Sequence, residues 1–126
     1  MKDFDLLKKW VELEPDRCKA YPELGGIGIL ICPGHWFGIN ISEPLDQRDY
    51  ATIQRGVQAA ITAHGFGFEL TYNPLTQTYW GQIFEEADGD FWHQWSLHEG
   101  NESSVALLEA YLAALEASRA ITGGTP

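Results

Sequence analysis

The alternation of apolar and polar positions is most regular between residues 66 and 97. Phe66, Phe68, Leu70 and Tyr72 alternate with glycine or polar residues, which is the period of two expected for a strand with one buried face. Two further runs rich in aromatic residues follow before residue 97. The pattern therefore predicts three consecutive strands.

Two turn signals separate these predicted strands. Asn73-Pro74 favours a turn, because proline fixes its own φ and biases the preceding residue away from the helical region. Asp88-Gly89 favours a tight hairpin, because both residues tolerate a positive φ. The whole stretch is predicted to be an antiparallel meander.

The chain before the meander predicts a helix, a loop and a hairpin. Asp3 is placed to cap a first helix that Pro15 ends. Residues 15–26 contain two prolines and a glycine pair, and we expect a connecting loop there. The apolar run 27–32 is typical of a strand covered on both faces, and Pro33-Gly34 returns the chain as a second strand that ends at Ile41.

Two more helices are predicted. Asp46 and Asp49 have the spacing of a capping box, and Gly65 is a C-terminal stop signal. After the meander, Ser103 or Ser104 caps a helix with an apolar stripe made of Val105, Leu108, Leu112 and Leu115. The predicted order is α-ββ-α-βββ-α. We expect a single α+β domain over residues 1–121, with an antiparallel sheet of about five strands covered by helices, and a flexible tail over residues 122–126.

The strand around Trp80 has apolar side chains on both faces. Tyr79 and Ile83 point one way, whereas Trp80 and Phe84 point the other. Both faces must then be covered, either by helices or by a second copy. The pattern therefore predicts a homodimer.

The charge of the chain restricts its partners. Eighteen acidic and eight basic residues give a net charge of −10. Such a surface repels phosphate, so direct binding to nucleic acid or to an anionic membrane is disfavoured. The acidity serves solubility, attraction to a basic patch on a partner protein, or both.

The N-terminal segment lacks the apolar core of a signal peptide and no run is long enough to span a bilayer, so we expect a cytoplasmic protein.

Three stretches between residues 49 and 117 carry a resemblance to known proteins: the stretch from Gly65 to Leu70, Tyr79-Trp80, and the alanine- and leucine-rich segment from Ala106 to Ala117. Through them, residues 49–117 resemble the phage ABA-sandwich family of small phage and prophage proteins. The resemblance implies a sheet sandwiched between helix layers, dimerisation and a phage or prophage origin. The family supplies no catalytic residues to transfer.

Motifs for catalysis and metal binding are absent. The chain has no nucleophile elbow, phosphate-binding loop, dinucleotide-binding fingerprint or zinc-protease motif. His93 and His98 would point to opposite faces of a strand, which does not suit shared metal ligation. The acids around Gly89 do not match a calcium loop. We expect no cofactor, no metal and a protein that is not an enzyme.

Aromatic and acidic residues are therefore the candidates for binding. Tryptophans concentrate at cores and at interface hot spots, and acids at a hairpin tip are available to a basic partner. The candidate binding residues are Trp36, Trp80, Trp92, His93, Glu85, Glu86, Asp88 and Asp90. The leading hypothesis is an accessory or anti-defence protein that occupies a basic surface of a host protein. The alternatives are a small-ligand protein with an aromatic pocket for a base or similar planar group and, third, an enzyme of unknown class.

Overall fold

The computed structural model describes residues 2–40, 44–86 and 92–122. Three α-helices and six β-strands are formed by these residues, together with a short 3-10 helix at Pro22–Leu24. In chain order the elements are α1 (Lys2–Leu13), β1 (Cys18–Tyr21), β2 (Gly26–Cys32), β3 (His35–Asn40), α2 (Gln47–His64), β4 (Gly67–Asn73), β5 (Thr78–Glu86), β6 (Trp92–Gly100) and α3 (Ser103–Thr122).

The α+β class is confirmed, but the prediction of one sheet of about five strands is wrong. The described strands form two separate three-stranded antiparallel sheets: the first sheet, in the order β1-β2-β3, and the second sheet, in the order β4-β5-β6. The chain leaves β3 for α2, and α2 packs on α3 as well as on β2. The helix therefore carries the chain away from the first sheet before β4 begins.

The additional strand is β1, in the segment predicted to be a loop. Cys18 pairs with Ile29 and Tyr21 pairs with Gly26 in an antiparallel register. Only Cys18 is buried within β1, and the 3-10 helix begins immediately after it. Such a short, mostly exposed edge strand has too few buried positions to produce a detectable period of two.

The fold repeats one unit. Each sheet is a three-stranded meander followed by a helix that packs on its middle strand: α2 on β2 and α3 on β5. The first helix, α1, precedes both units and contacts β1 and α3. Because α2 and α3 pack on each other, the two units bury their helical faces together in one core.

Helix α3 is the centre of that core. The predicted stripe of four residues is buried, and so are residues on other faces of the helix: Ala106, Leu107, Ala110, Tyr111 and Ala114. A helix that is apolar nearly all round must be enclosed by other elements. In this protein the second sheet, α2 and α1 surround α3.

Two glycines allow the helices to approach the sheets closely. A Cβ at Gly56 of α2 would lie 2.2 Å from Cγ2 of Ile29 on β2. A Cβ at Gly81 of β5 would lie 2.8 Å from the carbonyl oxygen of Ala106 on α3. In each repeat one side of the helix–sheet contact lacks a side chain, because no atom fits there.

The local signals for α2 and for the turn after β4 are confirmed, but the helix caps predicted at Asp3 and at Ser103 or Ser104 are wrong. These residues lie inside α1 and α3, where the Asp3 carboxylate accepts a hydrogen bond from the Tyr50 hydroxyl and the Ser103 hydroxyl donates one to Gln54. Asp46 caps α2 through a complete capping box with Asp49, and Gly65 ends the helix in the left-handed conformation. The Asn73-Pro74 turn joins β4 to β5, with the Leu75 N–H donating to Asn73 Oδ1. The predicted Asp88-Gly89 turn lies outside the described residues.

A buried carboxylate fastens α1 to α3. Glu14 Oε1 accepts hydrogen bonds from Trp10 Nε1 at 3.1 Å and from the Tyr111 hydroxyl at 2.7 Å. Burial first, and then the hydrogen bond to Glu14, raise the pKa of Tyr111.

Within the described part of the chain, no helix combines the length and apolarity needed to cross a bilayer.

Candidate functional site

Each sheet has an inner face turned towards the helices and an outer face turned away from them. On the first sheet the inner face carries buried residues such as Ile27, Ile29 and Ile39. The strand register places the following residues on the outer face: Lys19, Tyr21, Gly26, Gly28, Leu30, Trp36, Gly38 and Asn40. This face combines aromatic rings with glycines that carry no side chain.

Glycines form the floor of an open groove on the outer face of the first sheet. Gly28 holds two rings close to the backbone, since a Cβ there would lie 2.8 Å from Tyr21 Cε2 and 3.6 Å from Trp36 Cε3. Its cross-strand partner Gly38 is exposed. We call this depression the glycine-floored groove. It has a volume of about 480 Å³ and is lined mainly by Tyr21, Leu24, Trp36, Asn40 and the three glycines of the outer face.

A cation lies at the Trp36 end of the groove. Lys19 Nζ is 4.8 Å from the centroid of the Trp36 ring, a distance at which the ring quadrupole attracts the ammonium group. None of the residues that line the groove carries a carboxylate. In a chain with a net charge of −10, this is a local surface without the excess negative charge found elsewhere.

The outer face of the second sheet has a different character. Trp80 and Phe84 are half-buried on the middle strand, and Leu97 on β6 is 47% exposed. The Phe84 ring lies over Gly67, where a Cβ would come within 2.5 Å of the ring. Because α3 packs on the inner face, through Gly81, these side chains form an apolar stripe that α3 does not cover.

Carboxylates flank this apolar stripe. Glu69 on β4, Glu86 on β5 and Glu99 on β6 are exposed on the same outer face. The surrounding sequence is acidic throughout: residues 65–102 contain no Lys or Arg and seven acids, namely Glu69, Glu85, Glu86, Asp88, Asp90, Glu99 and Glu102. Most of the net negative charge of the chain therefore belongs to the second sheet and its connections.

Glu85 and His93 lie near each other but not on that outer face. They are cross-strand partners in the register of β5 and β6. Glu85 Oε1 accepts a hydrogen bond of 3.1 Å from Trp95 Nε1, and the His93 ring meets the Trp95 ring edge-on with centroids 4.3 Å apart. Glu85 thus orients a half-buried tryptophan, which is a structural role.

The predicted binding residues do not form one site. Trp36 belongs to the first sheet, whereas Trp80 and Glu86 belong to the outer face of the second. The backbone of Trp92 pairs with Glu86 in β6, and Asp88 and Asp90 lie outside the described residues. The predicted aromatic residues thus occur on both sheets, whereas the described acidic ones, Glu85 and Glu86, lie on the second sheet alone.

Of the residues that define the glycine-floored groove, Trp36 was among the predicted binding residues and the others were missed. Tyr21 and Lys19 lie on β1, which was predicted to be a loop, and Gly38 carries no chemistry of its own. One signal was present in the sequence: Gly26, Gly28 and Gly38 fall at alternate strand positions, so that one face of a hairpin lacks side chains.

Metal-ligating side chains are not clustered in the part of the chain that the structure describes. The described residues contain no group of three or more His, Cys, Asp or Glu side chains placed to hold a metal ion. Comparison with protein-family models, curated proteins and solved structures gives no match to this chain. The resemblance to the phage ABA-sandwich family stays a prediction.

Proposed function

We propose that this chain is a non-enzymatic binding protein whose second sheet docks, through its outer face, on a basic surface of another protein. The observation that carries the proposal is the segregation of charge: residues 65–102 contain seven acids and no base, and three of these acids are exposed on a sheet face that α3 leaves uncovered. Acidity that served only solubility would not need to be concentrated on one sheet.

The apolar stripe gives this face the composition of a binding surface. Interface hot spots are aromatic side chains that become desolvated at the centre, while charged side chains at the rim steer the approach. Trp80 and Phe84 occupy the middle strand, and Glu69 and Glu99 occupy the strands on either side. The centre of the face is therefore suited to affinity and its rim to recognition of positive charge.

Charge also decides between a basic partner and a second copy of this chain. A twofold contact through this face would bring Glu69, Glu86 and Glu99 of one copy against the same residues of the other. Like charges facing each other in a partly desolvated contact are unfavourable. A partner with lysines and arginines in the corresponding positions fits the face instead.

The resemblance to phage proteins extends the proposal to a biological role. A phage or prophage accessory protein with an acidic face would occupy a basic surface that a host protein uses to bind nucleic acid, and would act as an anti-defence protein. Direct binding of this chain to nucleic acid is disfavoured by the same charges.

Capture from a bacterial lysate tests the proposal when charge is reversed on the face. The test variant carries Glu69→Lys, Glu86→Lys and Glu99→Lys. These side chains are exposed, so the variant is expected to fold as the wild type does. We expect the wild type to capture a protein with a basic surface, identified by mass spectrometry, and the test variant to lose it.

A matched control separates local from global charge. Asp5→Lys, Glu12→Lys and Asp16→Lys change the net charge by the same amount at exposed positions on or next to α1. This control variant is expected to retain the partner. Equal loss of the partner by both variants, or capture of no basic protein by the wild type, would contradict the proposed function.

A further inference from the structure

The glycine at position 38 has no structural explanation. The other described glycines either have a positive φ or lie where a Cβ would approach a neighbouring atom closely. Gly38 has neither property, since its φ is not positive and nothing lies within 4 Å of the position of a Cβ. Glycine weakens a strand, and within one it often marks a place where a ligand or another backbone comes close.

The space that Gly38 leaves open is the glycine-floored groove. Tyr21 and Trp36 rest on Gly28, the cross-strand partner of Gly38, so the aromatic rings lie beside the bare and exposed backbone of Gly38. A flat molecule makes the largest number of close contacts with such a floor, and each contact contributes to dispersion attraction. The volume of about 480 Å³ lies within the range of small-molecule sites.

We propose that the glycine-floored groove binds an anionic planar heterocycle of the size of a mononucleotide, with its ring on the glycine floor and its anionic group near Lys19. This site is separate from the outer face of the second sheet, and it does not depend on the function proposed for that face.

The lining favours a planar ring over a sugar. Sugar hydroxyls need many hydrogen-bonding partners, and buried polar groups without partners cost free energy. The side chains that line the groove are mainly apolar, and Tyr21 and Asn40 are the polar ones. A heterocycle buries a flat face against the floor and needs few polar contacts.

Charge decides between a small ligand and a polymer. Lys19, 4.8 Å from the Trp36 ring centroid, provides one cation, which suits one anionic group. A nucleic-acid strand would bring many phosphates against a protein whose net charge is −10, and that long-range repulsion opposes binding. The groove is therefore assigned to a free small molecule.

Titration calorimetry with a defined panel tests the assignment. The panel contains the monophosphates of adenosine, guanosine, cytidine and uridine, flavin mononucleotide, adenosine without phosphate, and maltose. We expect at least one monophosphate to bind the wild type and maltose not to bind. Amide chemical-shift changes in a labelled sample should lie in β1, β2 and β3.

Filling the groove gives the most specific result. Gly38→Val places a side chain where no atom lies and favours the strand conformation, so we expect an unchanged or higher midpoint of thermal unfolding. The bound monophosphate should lose affinity by about tenfold to a hundredfold, the range produced by removal of one stacking contact. Thr71→Val, at an exposed position on the second sheet, is the matched control and should bind as the wild type does.

The position of the anion has its own test. Lys19→Gln should weaken binding of the monophosphate and leave binding of its parent ring without phosphate unchanged. No binding by any monophosphate in the panel, binding of maltose instead, or equal binding by Gly38→Val and the wild type would overturn the proposal. An equal effect of Lys19→Gln on ligands with and without phosphate would also overturn the proposal. A change from dimer to monomer caused by Gly38→Val would do the same.

Discussion

At the scale of single residues, the described ionisable groups with shifted pKa values lie close to α1. Cys18 is fully buried beside it, with its thiol near the backbone carbonyl of Leu7. Burial first, and then the charge of Glu14, raise the pKa of the Cys18 thiol from 9.0 to about 12. The folded protein therefore keeps this proton at pH values at which the unfolded chain loses it.

This difference predicts a stability that falls in mild alkali. Below pH 9 the folded and the unfolded chain both hold the Cys18 proton, so the contribution of Cys18 to stability is fully present. Between pH 9 and about pH 12 the unfolded chain binds fewer protons than the folded chain. The free energy of unfolding therefore declines as pH rises through this range. From about pH 8 to about pH 10 the free energy of unfolding should fall by about 1.4 kcal/mol on account of Cys18. Urea denaturation at intervals across this range measures the decline.

The slope of the free energy of unfolding against pH shows whether Cys18 causes the decline. Cys18→Ala should show a smaller decline with pH than the wild type, whatever its absolute stability, whereas Cys32→Ala, at an exposed position, should retain the wild-type slope. A slope that is unchanged in Cys18→Ala would mean that another group holds the proton.

At the scale of elements, the sequence predicted the three helices and five of the six strands. Capping boxes, glycine stops and proline turns act within a few residues, so these signals can be interpreted without knowledge of the tertiary structure. The strand β1 was missed because its stability comes from pairing with β2 rather than from its own pattern. The division into two sheets was missed because it depends on where α2 packs, which local signals do not encode.

The contact between α3 and the second sheet offers a direct test of the element packing. Gly81→Ala would place a Cβ 2.8 Å from the Ala106 carbonyl oxygen and 3.0 Å from the Leu107 Cα. Both are backbone atoms of a buried helix, so the clash cannot be relieved by a rotamer change. We expect a loss of about 1–3 kcal/mol in the free energy of unfolding, which is typical of an overpacked core.

The matched control for this prediction is Gly38→Ala, a glycine-to-alanine change in a strand where the new Cβ meets nothing within 4 Å. Its denaturation midpoint should not fall. Equal midpoints for Gly81→Ala and the wild type would contradict the close packing of α3 on β5.

The candidate site could be predicted only in part. Trp80 and Glu86, which lie on the proposed binding face, could be selected from the sequence because aromatic and acidic side chains have an evident chemistry. Glu85 was assigned to binding, and its carboxylate accepts a hydrogen bond from the Trp95 indole. This contact could not be inferred from spacing, because the register of β5 and β6 shifts at a bulge between Ile83 and Phe84. Trp36 was selected for the same reason as Trp80, but the groove beside it was missed because the essential feature of the groove is the absence of side chains.

At the scale of the whole molecule, the two sheets present two different outward surfaces. The first sheet has a groove with a neighbouring cation, and the second has an acidic face with an apolar stripe. The homodimer predicted from the sequence would have to avoid the acidic face. The edge strand β3 is suited to it, because His35–Asn40 contains no Lys, Glu, Asp or Pro to prevent pairing with another edge.

Light scattering coupled to size exclusion measures the oligomeric state. We expect a mass of about twice 14.1 kDa at micromolar concentration, because β3 of one copy can pair with β3 of another. Replacing Phe37 by Lys on the edge strand should shift the mass towards that of the monomer. A wild-type mass of 14.1 kDa at every concentration would contradict the dimer and leave both proposed binding surfaces unaffected.

The measurement that tests the central claim most directly is the rate of association between this protein and its captured partner at two salt concentrations. Exposed charges act over a Debye length of about 8 Å at physiological ionic strength, so steering by the acidic face should disappear as salt rises. We expect fast association at low salt that slows steeply at high salt for the wild type. The variant with Glu69, Glu86 and Glu99 changed to Lys should associate slowly at both salt concentrations. A wild-type association rate that does not depend on salt would contradict the account.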